Sequence, residues 1–362
     1  MKAMTSMPPE DWPQDALERV VTCPVCCNPR RSAWRADLTD RIFATVGGRW
    51  TLWRCAGCAA AYLDPRPTVA TIGRAYSTYY THASEPGHHI VVPSDLPAQR
   101  RRRAVHASYY NRYFGHRLVS ALPLGWTLIA SSRRRRARAD QSIRHLPAPS
   151  HPEAVLLDLG CGDGAFLRVA RALGYVARGL EFDPAAAATA RRAGFEVETR
   201  GVDQVDYEPN SLDQVTLNHV IEHVHDPVGL LRRVLYWLRP GGRVWLQTPN
   251  IDGNGSETFA ADWRGLEPPR HLVLFTPASL GRALADAGFT DVALQLPPPD
   301  ASFYVAQSQA LRDGRDPYQE ADALRRRAAK RIGERWNRAS LGDPRRAESI
   351  TMVGFRPQAV VR

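Results

Sequence analysis

Residues 155–167 read VLLDLGCGDGAFL, a run that changes character twice. Its apolar first part, from Ala154 to Leu157, predicts a buried parallel strand. Three glycines then alternate through a tight turn, and the segment Ala165–Leu173 predicts a helix. Glycine suits such a turn because it adopts positive φ angles and lets a ligand approach the backbone closely. The stretch therefore predicts a strand–turn–helix unit with a ligand at the turn.

Two acidic residues indicate which ligand the turn binds. Glu181 ends the next apolar segment, Val176–Leu180, at the position of a ribose-binding carboxylate. Asp158 lies in the turn region, where its carboxylate would repel a pyrophosphate but attract the cationic sulfonium and ammonium groups of S-adenosylmethionine (SAM). The glycines also follow a G-x-G-x-G spacing, which differs from the G-x-G-x-x-G of dinucleotide sites. The sequence therefore favours SAM over a dinucleotide.

Three segments resemble known methyltransferases. Residues 158–164 resemble the first motif of class I SAM-dependent methyltransferases. Residues 218–227, NHVIEHVHDP, resemble the HVxEH…DP signature of small-molecule O-methyltransferases related to those of ubiquinone biosynthesis. Residues 263–289 match a third pattern of that family, W…P.HL..FT..SL…L…GF. The resemblance implies that the following residues contact SAM: Asp158, Gly160, Cys161, Gly162, Gly164, Glu181, Phe182, Asn218 and His219.

The order of elements predicts the fold of this part of the chain. Strand and helix segments alternate through residues 155–247, which indicates a Rossmann-like α/β domain with parallel strands. The resemblance implies a seven-stranded sheet of order 3-2-1-4-5-7-6 with an antiparallel last strand, for which Ile350–Pro357 is the candidate. Thr276 and Pro277 predict a helix start, as N-cap and first helical residue.

Three histidines are the candidate catalytic bases. Methyl transfer is an in-line displacement at the sulfonium carbon, in which the protein aligns the nucleophile and removes its proton. His219, His223 and His271 follow the fourth and fifth predicted strands, where cofactor and acceptor gather. We expect the segment that carries Trp263 and His271 to be a substrate lid with His271 facing the acceptor. Each histidine has a structural alternative, and Glu222 is expected to be a hydrogen-bond partner.

Two of these histidines, His219 and His223, also form the motif His-x-x-Glu-His of zinc proteases. That motif needs both histidines on one helical face and a further distant ligand. Here the segment follows a parallel strand in a domain that SAM binding already explains, so we do not adopt the protease interpretation.

Two C-x-x-C pairs stand near the N-terminus, formed by Cys23, Cys26, Cys55 and Cys58. Each pair supplies two thiolates from one tight turn, and two pairs complete a tetrahedral zinc site. Four sulfur ligands leave no open position, so the zinc would be structural. The alternatives are reduced core cysteines or a redox dithiol. The adjacent Cys27 is expected to be a spare.

The residues after the second pair add a further resemblance. Pro65-Arg66-Pro67 leaves the ribbon, and residues 68–80 predict a short helix that ends in tyrosines. A ribbon followed by these elements resembles bacterial SAM methyltransferases associated with sugar and cell-envelope biosynthesis. The ribbon alone also resembles the zinc-bearing N-terminal domains of sugar C-methyltransferases.

The formal net charge of +11 is concentrated in one segment. Between Arg100 and His145 there are twelve arginines and one acid, Asp140, so this segment alone carries a formal charge of +11. Arginines interleaved with tyrosines could contact RNA through phosphates and stacking. Arginines flanking the apolar run Leu118–Ala130 could instead rest on an anionic membrane or contact a lipid-linked substrate. The third alternative is a helical connector whose charges face water.

These patterns together predict the domain organisation and the location of the protein. The four paired cysteines and the absence of an apolar signal segment at the N-terminus predict a cytoplasmic protein, with peripheral contact at the inner face of the membrane as an option. The predicted units are an arm (1–20), a zinc ribbon (21–80), a basic, partly helical connector (81–150), a SAM-binding domain (151–310), a helical insertion (311–345) and a C-terminal strand (346–362).

The predicted function is methyl transfer from SAM to a hydroxyl of a sugar, glycan or other small metabolite, which could be lipid-linked. One alternative is an RNA or protein methyltransferase that docks through the ribbon and the arginines. The other is a SAM-binding scaffold without turnover. The sequence does not decide among acceptors, since function depends on the site and not on the fold.

Overall fold

The N-terminal part folds into a small antiparallel unit in the computed structural model, which describes residues 10–76, 97–319 and 321–358. Its strands are β1 (Leu17–Glu18), β2 (Arg31–Leu38), β3 (Trp50–Cys55), β4 (Ala61–Leu63) and β5 (Arg66–Pro67). β3 lies between β2 and β4, while β1 pairs with β5. A 3-10 helix, Ile72–Tyr76, lies within the helix predicted over 68–80. Residues 68–71 form no helix, and residues 77–80 lie outside the described residues.

Three helices connect this unit to the rest of the chain: α1 (Pro97–Phe114), α2 (Trp126–Ala130) and α3 (Arg133–Ser142). Tyr109 and Tyr110 of α1 are buried in an apolar cluster that includes Phe166. The Tyr109 hydroxyl donates a hydrogen bond to Asp140 over 2.9 Å. Because these aromatic side chains are core residues of a packed connector, they cannot stack on nucleic-acid bases.

Eight further strands follow: β6 (Val155–Leu159), β7 (Val176–Leu180), β8 (Glu196–Glu198), β9 (Leu212–Asn218), β10 (Leu238–Pro249), β11 (Val273–Leu274), β12 (Thr290–Leu294) and β13 (Ser349–Phe355). Seven of them form the central sheet, and β11 joins the sheet of the ribbon. The seven-stranded sheet has the order β8-β7-β6-β9-β10-β13-β12. β13 is antiparallel to both of its neighbours, and the other pairs are parallel. This is the predicted 3-2-1-4-5-7-6 order, so the Rossmann-like fold class is confirmed.

Helices connect these strands and complete the C-terminal part: α4 (Ala165–Ala172), α5 (Pro184–Arg192), α6 (Pro227–Trp237), α7 (Asn254–Phe259), α8 (Pro277–Ala287), α9 (Ala301–Arg312) and α10 (Ala323–Gly342). α8 begins as predicted, since the Thr276 side chain accepts the Ser279 N–H at 3.0 Å and Pro277 follows. Parallel strands end at one edge of the sheet, so β6, β7 and β9 bring their following loops together there.

The ribbon and the sheet domain share a second sheet. β11 pairs antiparallel with β4, which gives a four-stranded sheet of order β11-β4-β3-β2. Leu272, Val273, Leu274 and Phe275 are completely buried in this contact. No helix in the described part of the chain is long and apolar enough to cross a membrane.

Candidate functional site

The glycine turn between β6 and α4 is shaped for a ligand. Gly160, Gly162 and Gly164 have φ angles of +71°, +55° and +78°, a region that other residues rarely adopt. A Cβ on Gly160 would lie 2.6 Å from the Val220 side chain, whereas a Cβ on Gly162 would meet no atom within 4 Å. Gly160 is therefore required for packing, and Gly162 leaves open space beside the backbone. That space fits the close approach of a bound nucleoside.

Glu181 lies directly beside this turn. Its carboxylate accepts the N–H of Gly162 at 2.7 Å and the N–H of Asp183 at 2.9 Å. Burial raises the pKa of Glu181. A carboxylate has about four acceptor positions, so these N–H groups leave capacity for a hydroxyl group of a ribose. The arrangement fits the nucleoside part of SAM, as the sequence predicts.

Asp158 is completely buried at the end of β6 and forms an internal ion pair with Arg144. Arg144 also donates to the Thr216 hydroxyl over 3.1 Å, and its guanidinium lies 3.8 Å from the centre of the Phe166 ring. Arg144 comes from the end of the connector, and sequence reasoning did not assign it a role. The negative charge of Asp158 is thus balanced from within the protein, beside the turn.

Three other residues predicted to contact SAM differ in what they offer. The Cys161 side chain is buried and packs against Gly179, and burial raises the pKa of its thiol, so this residue presents its backbone to the turn. The Phe182 side chain is 54% exposed and lies 5.5 Å from the Tyr76 ring, measured between ring centres. Asn218 is half-buried at the end of β9. Phe182 therefore offers an aromatic surface next to Glu181.

His219 and Glu222 form a hydrogen-bonded pair after β9. His219 Nδ1 lies 3.0 Å from Glu222 Oε1, and since a carboxylate only accepts, Nδ1 carries the proton. The Gln247 amide donates to His219 Nε2 over 3.2 Å. His219 has a φ of +54°, a strained conformation that concentrates at functional sites. The side chain is one-third exposed.

Glu222 anchors this pair from the interior. It is completely buried, and its second oxygen accepts the Thr248 hydroxyl at 3.0 Å. Burial alone would raise the pKa of Glu222, but the hydrogen bond and charge of His219 lower it to about 2. The carboxylate is therefore charged, holds the imidazole in one tautomer and stabilises its protonated form. Sequence reasoning expected a hydrogen-bond partner at this position.

His223 lies at the contact with the ribbon unit. Its Nδ1 is 3.0 Å from the Arg270 carbonyl oxygen and 3.0 Å from the Tyr76 hydroxyl. Tyr76 is the last described residue of the N-terminal unit. Its proximity to His223 could not be predicted, because nothing in the sequence pairs these two distant positions.

His271 does not lie on an exposed lid, contrary to expectation. It is 4% exposed, and its Nδ1–H donates to the Gly265 carbonyl oxygen over 2.8 Å. Burial lowers the pKa of His271 to about 4. Trp263 is 1% exposed in the same segment. The segment is covered by the ribbon because β11 completes the ribbon's sheet, which a local pattern does not reveal.

Arg270 joins the two units beside His271. Its guanidinium is completely buried and bonds to Asp40 of the ribbon over 2.7 Å and to Glu267 over 3.0 Å. It also donates to the Ala75 carbonyl over 2.9 Å. Arg264 also forms an ion pair with Glu267, so two cations face the two buried carboxylates at this contact.

Glu222, His223 and His271 also lie close enough to surround a cation, with candidate ligand atoms within 4.8 Å of one another. Both oxygens of Glu222 already accept hydrogen bonds, from His219 and Thr248. We therefore describe this group as a buried polar network.

The four paired cysteines form one cluster. Candidate ligand atoms of Cys23, Cys26, Cys55 and Cys58 all lie within 4.8 Å of one another. The Cys23–Cys58 and Cys26–Cys55 sulfur atoms are 3.6 and 3.5 Å apart. A tetrahedral zinc with bonds of about 2.3 Å requires sulfur–sulfur distances of about 3.8 Å, so the cluster fits zinc.

The two cysteine turns have the same hydrogen bond, and Cys27 lies outside them. Val25 N–H donates to Cys23 and Gly57 N–H donates to Cys55. The Cys58 thiol, together with backbone N–H groups, lowers the pKa of Cys23 to about 5, although burial opposes this. Cys27 follows the first turn with a φ of +58°, is exposed and lies outside the cluster, as expected.

Part of the chain is similar to known proteins. A family model described as a methyltransferase domain matches residues 131–294. A ubiquinone biosynthesis O-methyltransferase of Xanthomonas campestris pv. campestris is 33% identical over 110 residues, which cover 27% of this chain and 44% of that protein. A protein of the same description from Pseudomonas savastanoi is 31% identical over 102 residues, with 26% and 44% covered. The match thus spans less than half the length of these relatives.

Solved structures of methyltransferases are similar at low identity. A SAM-dependent methyltransferase of Mesorhizobium loti has a TM-score of 0.40 and 20% identity, covering 63% of this chain and 100% of that chain. A complex of the Haloferax volcanii Trm112 methyltransferase activator and a putative methyltransferase gives a TM-score of 0.43 and 17% identity, covering 74% and 100%.

The strand order and the matched residues agree on the domain type. Residues 131–294 contain the glycine turn, Glu181, the His219–Glu222 pair and six strands of the 3-2-1-4-5-7-6 sheet, to which β13 adds the seventh. Residues 131–294 match a methyltransferase domain, and the unit that precedes them has a four-cysteine cluster that could hold a structural zinc ion.

Proposed function

We propose that the protein transfers a methyl group from SAM to a hydroxyl of a sugar, glycan or other small metabolite. The observation that carries the proposal is the position of two residues at one edge of the sheet. His219 follows β9 and Glu181 follows β7, and these strands flank β6, which ends in the glycine turn. Cofactor and acceptor sites of open α/β sheets lie at this edge.

The glycine turn and Glu181 would hold the cofactor. Glu181 would accept hydrogen bonds from the ribose hydroxyls, and the space beside Gly162 would admit the nucleoside against the backbone. Phe182 would cover one face of the adenine ring, since its side chain is exposed next to Glu181. The bound cofactor supplies an electrophilic methyl group on a sulfonium.

His219 would take the proton from the acceptor hydroxyl. Its Nδ1–H is fixed by the charged Glu222, so the basic nitrogen is Nε2. Glu222 would then stabilise the imidazolium that forms. Gln247, whose Oε1 accepts a hydrogen bond from Thr351 at 3.3 Å, donates to His219 Nε2, so the acceptor hydroxyl would take the place of that amide. The His219 side chain is one-third exposed, whereas His271 is buried.

The acceptor atom is proposed from the chain's relatives. The two O-methyltransferases described above act on oxygen by their names, which supports an oxygen acceptor here. Each match covers about a quarter of this chain, so the acceptor of the whole protein is inferred from a part of it. The ribbon would hold zinc structurally, because four thiolates leave no open coordination position.

The experiment uses SAM labelled in its methyl group. The full chain is incubated with labelled SAM and extract of the source cell, and the label is partitioned among small-molecule, polysaccharide, lipid, RNA and protein fractions. We expect label in the small-molecule, polysaccharide or lipid fraction, and loss of that label with His219→Asn. Label in RNA or protein would overturn the proposed acceptor class. SAM binding without label in any fraction would favour a scaffold.

A further inference from the structure

A second site candidate lies between the connector and the C-terminal helices. A cavity of about 380 Å³ is lined by α3, the beginning of α9 and one face of α10. Four cationic side chains contribute to it: Arg134, Arg138, Arg326 and Lys330. Among the described lining residues Glu334 is the only acid, so the lining carries a formal charge of +3. We call this cavity the basic cleft.

The cations of the basic cleft lie close to one another although like charges repel. Arg134 and Arg138 are four residues apart on α3, and Arg326 and Lys330 are four residues apart on α10, so each pair shares a helix face. Like charges at this spacing destabilise a helix. Glu334 is 3.3 Å from Arg134, but Arg138 and Lys330 form no ion pair with any described residue. The surplus of positive charge indicates an anionic ligand.

One face of α3 connects the basic cleft with the methyl-transfer site. Arg134, Arg138 and Gln141 occupy positions i, i+4 and i+7, which lie on the same side of a helix. With a rise of 1.5 Å per residue, Arg138 and Gln141 are about 4.5 Å apart along the axis. Gln141 donates to Gln247, whose amide contacts His219. α3 therefore contributes both to the basic cleft and to the surroundings of His219.

We propose that the basic cleft binds the diphosphate group of the acceptor, so that the hydroxyl to be methylated lies at His219. This inference rests on the proposed function and narrows its acceptor to a phosphorylated molecule. Guanidinium groups bind phosphate oxygens in pairs, and several of them around one cavity suit more than one phosphate group. Pro299, Ser302 and Asn337 complete the lining with small or neutral groups.

Two sources share this chemistry. A nucleoside diphosphate and a prenyl diphosphate both carry a diphosphate next to an uncharged group. A single phosphate would neutralise less of the +3 lining, since it carries about 1.5 to 2 negative charges at pH 7. We therefore expect inorganic pyrophosphate to bind more tightly than orthophosphate at equal ionic strength.

The test is calorimetric titration of the full chain with inorganic pyrophosphate at physiological ionic strength. The variant Arg138→Ala/Lys330→Ala removes two exposed cations of the cleft. The control Arg331→Ala/Arg335→Ala removes two exposed cations from the neighbouring face of α10. We expect the cleft variant to weaken pyrophosphate binding at least about tenfold and the control to change it less than about twofold. Equal losses in both, or no binding by the wild type, would overturn the proposal.

Titration of the same proteins with SAM separates this inference from the proposed function. If SAM binds and is turned over while pyrophosphate does not bind, the cleft proposal fails alone. If pyrophosphate binds at the cleft but no acceptor is methylated, the proposed function fails while the anion site remains. Competition identifies the source: stronger displacement of pyrophosphate by uridine diphosphate assigns a nucleotide carrier, and stronger displacement by geranyl diphosphate assigns a prenyl carrier. Failure of both to compete would overturn the acceptor assignment.

Discussion

The glycine turn (158–164) and the segment 262–275 both resemble family motifs, but the structure uses them differently. In the turn, Gly162 leaves open space beside the backbone and Glu181 has acceptor positions to spare. In the segment, Trp263 and His271 are buried, and β11 is a strand of the ribbon's sheet. The first region is open for a ligand, and the second is closed by its own protein.

This difference shows that an aromatic and a titratable residue near a strand end do not by themselves indicate chemistry. A ligand site keeps unfilled space and unused hydrogen-bonding capacity. An interface fills the space and satisfies its polar groups, as Arg270 does with Asp40 and Glu267. Variants that affect stability and variants that affect binding should therefore separate between the two regions.

Loss of one ribbon thiol should have the largest effect, and only on the closed region. With Cys58→Ser we expect bound zinc to fall from about one ion per chain to none, because a four-thiolate site needs all its ligands. Hydrogen exchange should then quicken in β4 and β11 but not in β6. Cys27→Ser, the matched control, should retain the metal. Equal zinc content in Cys58→Ser and the wild type would contradict the four-cysteine site.

Removal of the interface cation should come next. Arg270→Met leaves Asp40 buried without a cation, while Glu267 keeps Arg264, so we expect the free energy of unfolding to fall by about 3–5 kcal/mol. Urea denaturation measures this. Arg282→Met removes an arginine that is about half exposed and should leave the free energy of unfolding nearly unchanged. A similarly small effect of Arg270→Met would mean that the two units are held together by apolar contacts.

The histidines of the two regions should differ in turnover. His219→Asn keeps a donor for Glu222 but removes the basic Nε2, so we expect at least about a 100-fold loss of turnover. His271→Asn keeps a donor near the Gly265 carbonyl and should retain most turnover per folded molecule. S-adenosylhomocysteine production with the labelled acceptor fraction measures both. A greater loss of turnover in His271→Asn than in His219→Asn would assign the catalytic role to His271.

Acid should lower the stability of the protein through His145, which lies beside the open region. His145 follows Arg144 and accepts a hydrogen bond from Trp245. Burial lowers the pKa of His145 to about 3. Between about pH 3 and 6.5 the unfolded chain binds a proton here that the folded chain does not, so stability falls as the pH falls through this window.

The variant His145→Asn preserves an acceptor for Trp245 without a titrating ring. Its stability should change less steeply across the same window, by up to about 1.4 kcal/mol per pH unit. Denaturation curves at a series of pH values give this difference. Parallel curves for wild type and variant would exclude His145 as the titrating group.

The sheet could be predicted from the sequence because its signals are local. The apolar run 154–157, the three glycines and the capping residues of α8 each act within a few positions of one another. The paired cysteines likewise predicted their cluster, since each turn sets the position of two thiols. β13 was predicted within two residues, at Ser349–Phe355 instead of Ile350–Pro357.

The long-range partners could not be predicted. Arg144 meets Asp158 across a turn, and Tyr76 meets His223 across 147 positions, through contacts that no local pattern encodes. The basic cleft was also hidden, because the charge of α10 is offset by acids elsewhere when the rest of the chain is summed. Residues 77–96, which include part of the predicted ribbon and connector, lie outside the described residues.

The most direct test of the account is calorimetric titration with SAM of the wild type, Glu181→Gln and the control Glu196→Gln. Glu196 is an exposed acid on β8, the strand next to β7, so the control makes the same chemical change at the surface. We expect one SAM per wild-type chain, about ten- to hundredfold weaker binding to Glu181→Gln, and unchanged binding to Glu196→Gln. Equal affinity of all three proteins, or no binding by the wild type, would contradict a SAM site at the glycine turn.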